Sequence, residues 1–366
     1  MATCETPVET PKPRVTRKTA LFPIIGLAAF FIYIYLFRVD IPAIIATAQT
    51  ADPLPYTLAI AFSLAEVFFY AVSWRVLVSY LKIKLSIIKS YLFVWYGLFL
   101  DIIIPAESVS GELARVYLIQ REQGTSSCGP AMASLVTHRL LGMAMNVAVL
   151  FLGVGLLFGE GQVSSLVLNL VLFLAAAITA IIILVIVFSF KESWSLKVIN
   201  GLIRVAEFIT RGKWSRLSKI REDACRITKG FHDSMKAFKN NPKPLVSSLF
   251  FLTITWFFSL SVSYLVFVSL KTPISWSAIL ITSAIVLAVK SIPVGIPFEV
   301  GLPEITMTTF YNQAFGVSPE IAATATILNR IITLWLRFFI GLGAQQWLDL
   351  KPVLSVCVTD SATEKT

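Results

Sequence analysis

Long apolar stretches separated by short polar segments dominate the pattern along this chain. A helix needs about 20 predominantly apolar residues to cross the hydrocarbon core of a bilayer. Six stretches are long enough: Ala20–Phe37, Leu54–Val78, Ala131–Phe158, Val163–Phe190, Leu245–Leu270 and Ile321–Trp347. The pattern therefore predicts an all-α polytopic membrane protein with about six full transmembrane helices.

Two further apolar stretches, Tyr91–Ile104 and Ile274–Ile292, are interrupted by the segments that follow them directly, which hold proline, glycine and carboxylate residues. The first reaches only about 21 Å as a helix at 1.5 Å per residue, which is less than the bilayer core of about 30 Å. Pro105 then removes a backbone donor and ends the helix. Because irregular backbone at membrane depth must be covered by protein or water, we predict a re-entrant hairpin whose second helix is Glu112–Gln120.

Two octets, residues 105–112 and 297–304, share the pattern Pro-x-Glu-x4-Glu. In both copies the last glutamate precedes a glycine by twelve residues, and an arginine inside the next apolar stretch by 27 or 26 residues. Matched spacing of this kind indicates an internal repeat, with halves at about residues 54–158 and 245–347. The number of intervening spans places the two hairpins on opposite sides of the membrane. Such inverted repeats with broken helices are typical of transporters that bind their substrate near the midplane.

Composition and charge support a membrane location. The chain is 56% hydrophobic and 14% charged, whereas soluble domains are about 45–50% apolar and about 25% charged. The net charge of +10 does not indicate nucleic-acid binding, because the basic residues flank the apolar stretches as the positive-inside rule describes. Residues 191–243 hold thirteen Lys or Arg against five acidic residues, so we expect this loop to be cytoplasmic.

The same rule predicts a domain organisation. Residues 1–19 form a basic cytoplasmic tail, residues 20–348 form the transmembrane domain, and residues 349–366 form a short cytoplasmic tail. Because the sequence carries no evident retention or organelle signal, we expect the cell membrane. Two alternatives stay open. The first apolar stretch is an uncleaved span or a signal peptide, and the amphipathic residues 194–211 lie in the headgroup layer or pack as a soluble helix.

Ionisable side chains within membrane segments are functional hypotheses by default. Glu112 and Glu304 begin short helices, where they line a binding site or favour the helix dipole. Arg139 and Arg330 lie inside long spans, where a guanidinium holds phosphate oxygens or pairs with the hairpin carboxylates. Arg115 faces lipid headgroups or joins the site. The predicted substrate-binding or translocation residues are Glu107, Glu112, Arg115, Arg139, Glu299, Glu304 and Arg330.

At these residues the sequence resembles the flippase-like membrane domain family, which is the transmembrane region of lysylphosphatidylglycerol synthases. The resemblance extends over about residues 15–350. The shared patterns are Pro…Gly-Glu-x2-Arg, an Arg-Leu pair, Pro…Gly-x2-Glu and a late arginine, matched by Pro105, Gly111, Glu112, Arg115, Arg139, Leu140, Pro297, Gly301, Glu304 and Arg330. Phe298 and Glu299 replace two glycines of the family. His138 stands where an acidic residue is usual, and Gly142 where aspartate is common, so substrate and coupling could differ.

The resemblance implies translocation of a lipid or lipid-linked headgroup, with membrane lipids as the substrate and no nucleic-acid partner. The chain continues for about 18 residues after the last apolar stretch, so we expect no synthase activity. We also expect no cofactor and no metal, because the four cysteines lack metal-ligand spacing and the two histidines are far apart. No phosphate-binding loop of the Gly-x4-Gly-Lys-Ser/Thr kind is present, which favours passive or ion-coupled movement.

Three alternative functions stay open. A membrane-embedded transferase acting on a lipid phosphate usually presents clustered aspartates, and the sequence has no Asp-x-Asp. An ion or small-solute transporter would use the same buried charges, and a membrane scaffold would transport nothing. Translocation of a phosphate-bearing headgroup is the hypothesis that the repeated carboxylates and arginines favour.

Overall fold

The structure is a computed structural model that describes residues 41–104, 109–160, 165–190, 217–272, 274–290 and 301–348. In this part of the chain the regular elements are helices and no strand occurs. The helices are α1 (Ile41–Gln49), α2 (Pro53–Tyr80), α3 (Ile87–Ile103), α4 (Val109–Gln123), α5 (Cys128–Gly159), α6 (Ser165–Phe190), α7 (Leu217–Asn240), α8 (Lys243–Ser269), α9 (Trp276–Lys290), α10 (Leu302–Thr309) and α11 (Pro319–Trp347). The predicted all-helical fold class is therefore confirmed for these residues.

Five of the described helices, α2, α5, α6, α8 and α11, are long and apolar enough to cross a membrane. They coincide with five of the six predicted stretches. The sixth stretch, Ala20–Phe37, lies outside the described residues, and so does the amphipathic segment 194–211. Large apolar side chains are exposed on α6, where Phe173 is 70% and Leu184 is 59% accessible. An exposed apolar face of this size is typical of contact with lipid.

Helices α2 and α8 pack along each other in opposite directions. The backbone amide of Asp52, just before α2, donates to the carbonyl of Ser269 at the end of α8, at 2.7 Å. Near the other ends, the hydroxyl of Ser73 donates to the carbonyl of Ser248 at 2.8 Å. Each of these antiparallel helices leads directly into one of the two interrupted segments.

Helices α3 and α4 form a tight antiparallel hairpin. The side-chain amide of Gln123, the last residue of α4, donates to the carbonyl of Lys84 at 2.8 Å, just before α3 begins. The hairpin therefore starts and finishes at the same end of the helix bundle. Close packing depends on two glycines, because a Cβ on Gly97 would lie 3.1 Å from the carbonyl oxygen of Gly111. With 17 residues, α3 is about 26 Å long.

Replacing Gly111 with alanine should destabilise this hairpin. A Cβ at this position would lie closer to the carbonyl oxygen of Gly97 and to the carboxylate of Asp101 than Cβ atoms approach other atoms in proteins. Overpacking of this kind costs about 1–3 kcal/mol, so we expect a lower midpoint of thermal unfolding in detergent. Gly155→Ala in α5 is the matched control, since no atom lies within 4 Å of its added Cβ. Equal midpoints for the two variants would contradict the packing described.

The two halves of the chain interleave through α9 and α11. Helix α9, the first helix of the second interrupted segment, packs against α5, where a Cβ on Gly153 would lie 3.2 Å from the Leu280 side chain. Helix α11 packs against α3, where a Cβ on Gly341 would lie 2.7 Å from the carbonyl oxygen of Trp95. In each half, the first helix of the interrupted segment therefore contacts the long helix of the other half.

Candidate functional site

The first half of the chain holds an accessible ion pair at the start of α4. Glu112 lies in the first turn of α4, and its Oε1 accepts a hydrogen bond from Nη1 of Arg139 in α5 at 3.2 Å. The side chains are 21% and 36% exposed, respectively. A carboxylate in the first turn also favours the positive end of the helix dipole. The two residues are thus close enough to interact, yet both remain reachable from outside the protein.

Asp101 in α3 holds the amino-terminal end of α4. Its Oδ1 accepts hydrogen bonds from the Ser110 hydroxyl at 2.8 Å and from the backbone amide of Gly111 at 2.7 Å. Capping of a helix start by an acidic side chain satisfies amides that have no partner inside the helix. Asp101 therefore caps the start of α4, and Glu112 lies in its first turn. Sequence reasoning missed this residue because its partners lie across a chain reversal.

Arg115 lies on α4, one turn after Glu112, and its side chain is buried against α2. It is only 5% exposed, so the predicted alternative in which it faces lipid headgroups is wrong. Its Nε donates to the carbonyl of Gly111 at 3.3 Å, and its guanidinium lies over the rings of Trp74 and Tyr70, at 5.2 and 5.9 Å from their centroids. Its Nη1 is buried without a hydrogen-bond partner among the described residues.

The second half of the chain holds a buried ion pair at the start of α10. Oε1 of Glu304 accepts from Nε of Arg330 in α11 at 2.5 Å, and Oε2 accepts from the backbone amide of Gly301 at 2.7 Å. Gly301 adopts a φ of 106°, a conformation that glycine takes without strain. The side chains of Glu304 and Arg330 are 1% and 5% exposed, so both partners are enclosed by protein.

A third ion pair joins α2 to α11. Oε2 of Glu66 accepts from Nη2 of Arg337 at 2.6 Å, and both side chains are largely buried. In a regular α-helix Arg337 would lie on nearly the same face as Arg330, seven residues earlier. However, residues Ile331–Leu336 form wider π-helical turns, which change the direction of the following side chains. Such turns occur often at functional sites.

The remaining predicted site residues, Glu107 and Glu299, lie outside the described residues, so the structure does not place them. His138 packs as an interior polar residue, with Nε2 at 3.1 Å from the Ser73 hydroxyl and its ring against Tyr70. Within the described part of the chain, no group of three or more His, Cys, Asp or Glu side chains is arranged to hold a metal ion.

Comparison with known proteins establishes the family. A family model described as the lysylphosphatidylglycerol synthase TM region matches residues 23–341. This chain belongs to that family. The matched range contains all three carboxylate–arginine pairs, and it supports a multi-pass integral membrane protein.

Three relatives match almost their whole length. The chain is 27% identical to a UPF0104 membrane protein of Pyrococcus horikoshii over 326 residues, which are 88% of this chain and 95% of the relative. It is 24% identical to a UPF0104 membrane protein of Methanothermobacter thermautotrophicus, over 89% of this chain and 94% of the relative. A third, from Methanocaldococcus jannaschii, is 23% identical over 90% of this chain and 94% of the relative. The likeness therefore extends over most of this chain.

Proposed function

We propose that this protein moves a lipid or lipid-linked headgroup that carries a phosphate between the leaflets of the membrane. The observation that carries the proposal is the repetition of one charged arrangement. In each half a glutamate opens a short helix after an interrupted segment and pairs with an arginine of the following long helix. Charged side chains at membrane depth are expensive and usually mark a pathway for a polar substrate.

The proposed architecture is an inverted repeat with about six spans and two re-entrant hairpins. The antiparallel packing of α2 and α8 supports it, because these helices lead into the two interrupted segments from opposite directions. The return of α4 to the starting end of α3 supports a hairpin that enters and leaves on one side. In this proposal both tails and the basic loop 191–243 are cytoplasmic, and the membrane is the cell membrane.

The chemistry of the pairs suits a phosphate-bearing headgroup. A guanidinium presents parallel N–H groups that match two phosphate oxygens, and in the empty protein a carboxylate occupies the same position. Arg139 and Arg330 would bind the phosphate, while Glu112 and Glu304 would line its path. The headgroup thereby exchanges water for ionic partners as it passes the apolar core. The proposed role is transport, so no bond of the lipid is made or broken.

The unequal exposure of the two pairs supports alternating access. The pair in the first half is partly exposed, whereas the pair in the second half is enclosed. Transporters with inverted repeats move one half against the other around a fixed site. In each end state of such a mechanism, one ion pair is exposed and the other is enclosed by protein.

Lipid movement in reconstituted vesicles tests the proposed function. The lipids are headgroup-labelled phospholipids and lipid-linked sugars, added as trace components. We expect movement with the wild type and its loss in Glu112→Gln/Glu304→Gln, because both carboxylates then lose their charge. Glu122→Gln is the control, since Glu122 also lies on α4 but pairs with Lys89 near the exposed surface. If no lipid moves with folded wild-type protein, passive lipid transport is excluded; if the double variant moves lipid normally, the assigned pathway is wrong.

A further inference from the structure

The two matched ion pairs differ in how firmly each carboxylate is held. Glu304 is fixed twice, by Arg330 and by the backbone amide of Gly301. In the first half the start of α4 is capped by Asp101, whose Oδ1 accepts from the Gly111 amide. Glu112 is held by the longer contact of 3.2 Å to Arg139.

A second arginine lies within reach of Glu112 on its own helix. Arg115 follows Glu112 by three residues, and side chains at this spacing are neighbours on a helix surface. Its buried Nη1 has no partner among the described residues, and an unpaired buried charge is costly. The second half lacks this arrangement, because Met307 stands three residues after Glu304.

We infer that Glu112 exchanges between two arginines and thereby controls phosphate binding at Arg139. In the conformation described Glu112 pairs with Arg139. When a phosphate oxygen binds Arg139, the Glu112 carboxylate moves to Nη1 of Arg115, which gains the partner it lacks. Its return to Arg139 displaces the phosphate. Arg115 is thus a positioning residue that acts through Glu112 without contacting the lipid.

This inference rests on the proposed function and adds an asymmetry to it. Phosphate binding does not simply break an ion pair in the first half, because Glu112 gains a new partner as it leaves the old one. In the second half Met307 stands in place of that arginine and Glu304 also accepts from the Gly301 amide, so its pair with Arg330 stays closed more firmly. The first half is therefore where a phosphate-bearing headgroup binds first in the conformation described.

A double-mutant cycle on binding tests the exchange. The probe is dihexanoyl phosphatidylglycerol, with dihexanoylglycerol as the ligand without phosphate and inorganic phosphate as the free anion, and binding to purified protein is measured calorimetrically. Arg115→Met keeps an apolar stem against Trp74 but removes the alternative partner of Glu112, which then stays paired with Arg139. We therefore expect affinity for the phospholipid to fall roughly tenfold or more. Glu112→Gln/Arg115→Met should bind as tightly as Glu112→Gln, because a neutral side chain no longer blocks Arg139.

Controls separate this role from a purely structural one. Arg115→Lys keeps a cation near Glu112 and should retain most of the affinity. Arg121→Gln, on the same helix but exposed, should bind like wild type. Arg115→Met should also unfold at about the same temperature without ligand, since it removes a buried Nη1 that has no hydrogen-bond partner among the described residues and keeps an apolar stem in place.

Several outcomes would overturn the exchange. One is wild-type affinity in Arg115→Met, or in Arg115→Gln if the methionine variant does not fold. Another is an affinity of the double variant for the phospholipid as low as that of Arg115→Met, because Arg115 would then hold the phosphate itself. Equal binding of dihexanoylglycerol, or no binding of any probe by wild type, also overturns it. Binding of inorganic phosphate alone, with the same cycle, would support the exchange with a free anion as its source. Lipid movement measured separately in vesicles decides the proposed function, which stands or falls independently of this cycle.

Discussion

Glu304→Gln should destabilise the protein far more than Glu112→Gln, although the two glutamates occupy equivalent positions in the repeat. Glu304 and Arg330 are 1% and 5% exposed, so neutralising one partner leaves the other as an uncompensated buried charge. Removing one member of a buried pair costs about 3–5 kcal/mol. The first pair is partly exposed, and pairs in contact with water contribute about 0–1 kcal/mol. Thermal unfolding of the two variants in the same detergent measures the difference.

The double variant Glu304→Gln/Arg330→Met provides the control. Replacing both members of a buried ion pair by neutral groups of similar volume is often close to neutral for stability. We therefore expect it to recover much of the midpoint that the single variant loses. Similar midpoints for Glu304→Gln and Glu112→Gln would mean that the second pair is not enclosed, and the asymmetry between the halves would be lost.

Arg139→Gln should slow lipid movement without a comparable loss of stability. The Arg139 side chain is 36% exposed and its contact with Glu112 is 3.2 Å long, so the folded protein depends little on it. A hydrogen bond to a charged group contributes about 1.5–3 kcal/mol, which corresponds to roughly 10- to 100-fold in binding. We expect the initial rate of phospholipid movement, at subsaturating lipid and equal amounts of folded protein, to fall by that factor.

Two further variants show whether the effect belongs to the guanidinium of Arg139. Arg139→Lys keeps the charge but loses the planar fork that matches phosphate, so its rate should lie between those of wild type and Arg139→Gln. Arg121→Gln changes an exposed arginine at the end of α4, whose Nη1 donates to the Leu348 carbonyl at 3.4 Å, and should leave the rate unchanged. A wild-type rate in Arg139→Gln would remove Arg139 from the pathway.

Much of the helical layout could be predicted from the sequence, because membrane spans depend on local apolar length. The predicted stretch Leu54–Val78 corresponds to the helix Pro53–Tyr80, and the predicted stretch Leu245–Leu270 corresponds to the helix Lys243–Ser269. Pro53 and Lys243 at their starts are helix-initiating or polar residues that a hydropathy pattern leaves out. The hairpin helix predicted as Glu112–Gln120 extends to Val109–Gln123, since polar residues continue a helix outside the apolar run.

The partners of the buried charges were harder to predict. The spacing of the two copies indicated that each glutamate could pair with the following arginine, and the structure contains both contacts. Glu66 and Arg337 are 271 positions apart, and nothing local in the sequence connects them. Their pairing follows from the packing of α11 beside α2 and from the wide turns after Arg330.

The burial of Arg115 and the capping by Asp101 could not be predicted from the hydrophobic pattern either. Arg115 follows Glu112 by one turn of a helix, which gives no indication that Trp74 and Tyr70 of α2 cover it. Asp101 lies near the end of an apolar helix, and its role depends on the chain reversing so that Ser110 and Gly111 return to it. Whether the seven predicted site residues bind a substrate stays a prediction.

The central claim, that this chain carries phospholipid headgroups across the membrane, is tested most directly by one end-point measurement. Vesicles with a headgroup-labelled phospholipid in both leaflets are treated with a reductant that cannot cross the membrane. Protein-free vesicles should lose only the outer-leaflet label. We predict that wild-type protein exposes nearly all of the label, because inner-leaflet lipid moves outward during the assay. Loss of the outer-leaflet label alone, from vesicles that contain folded protein, would contradict the account.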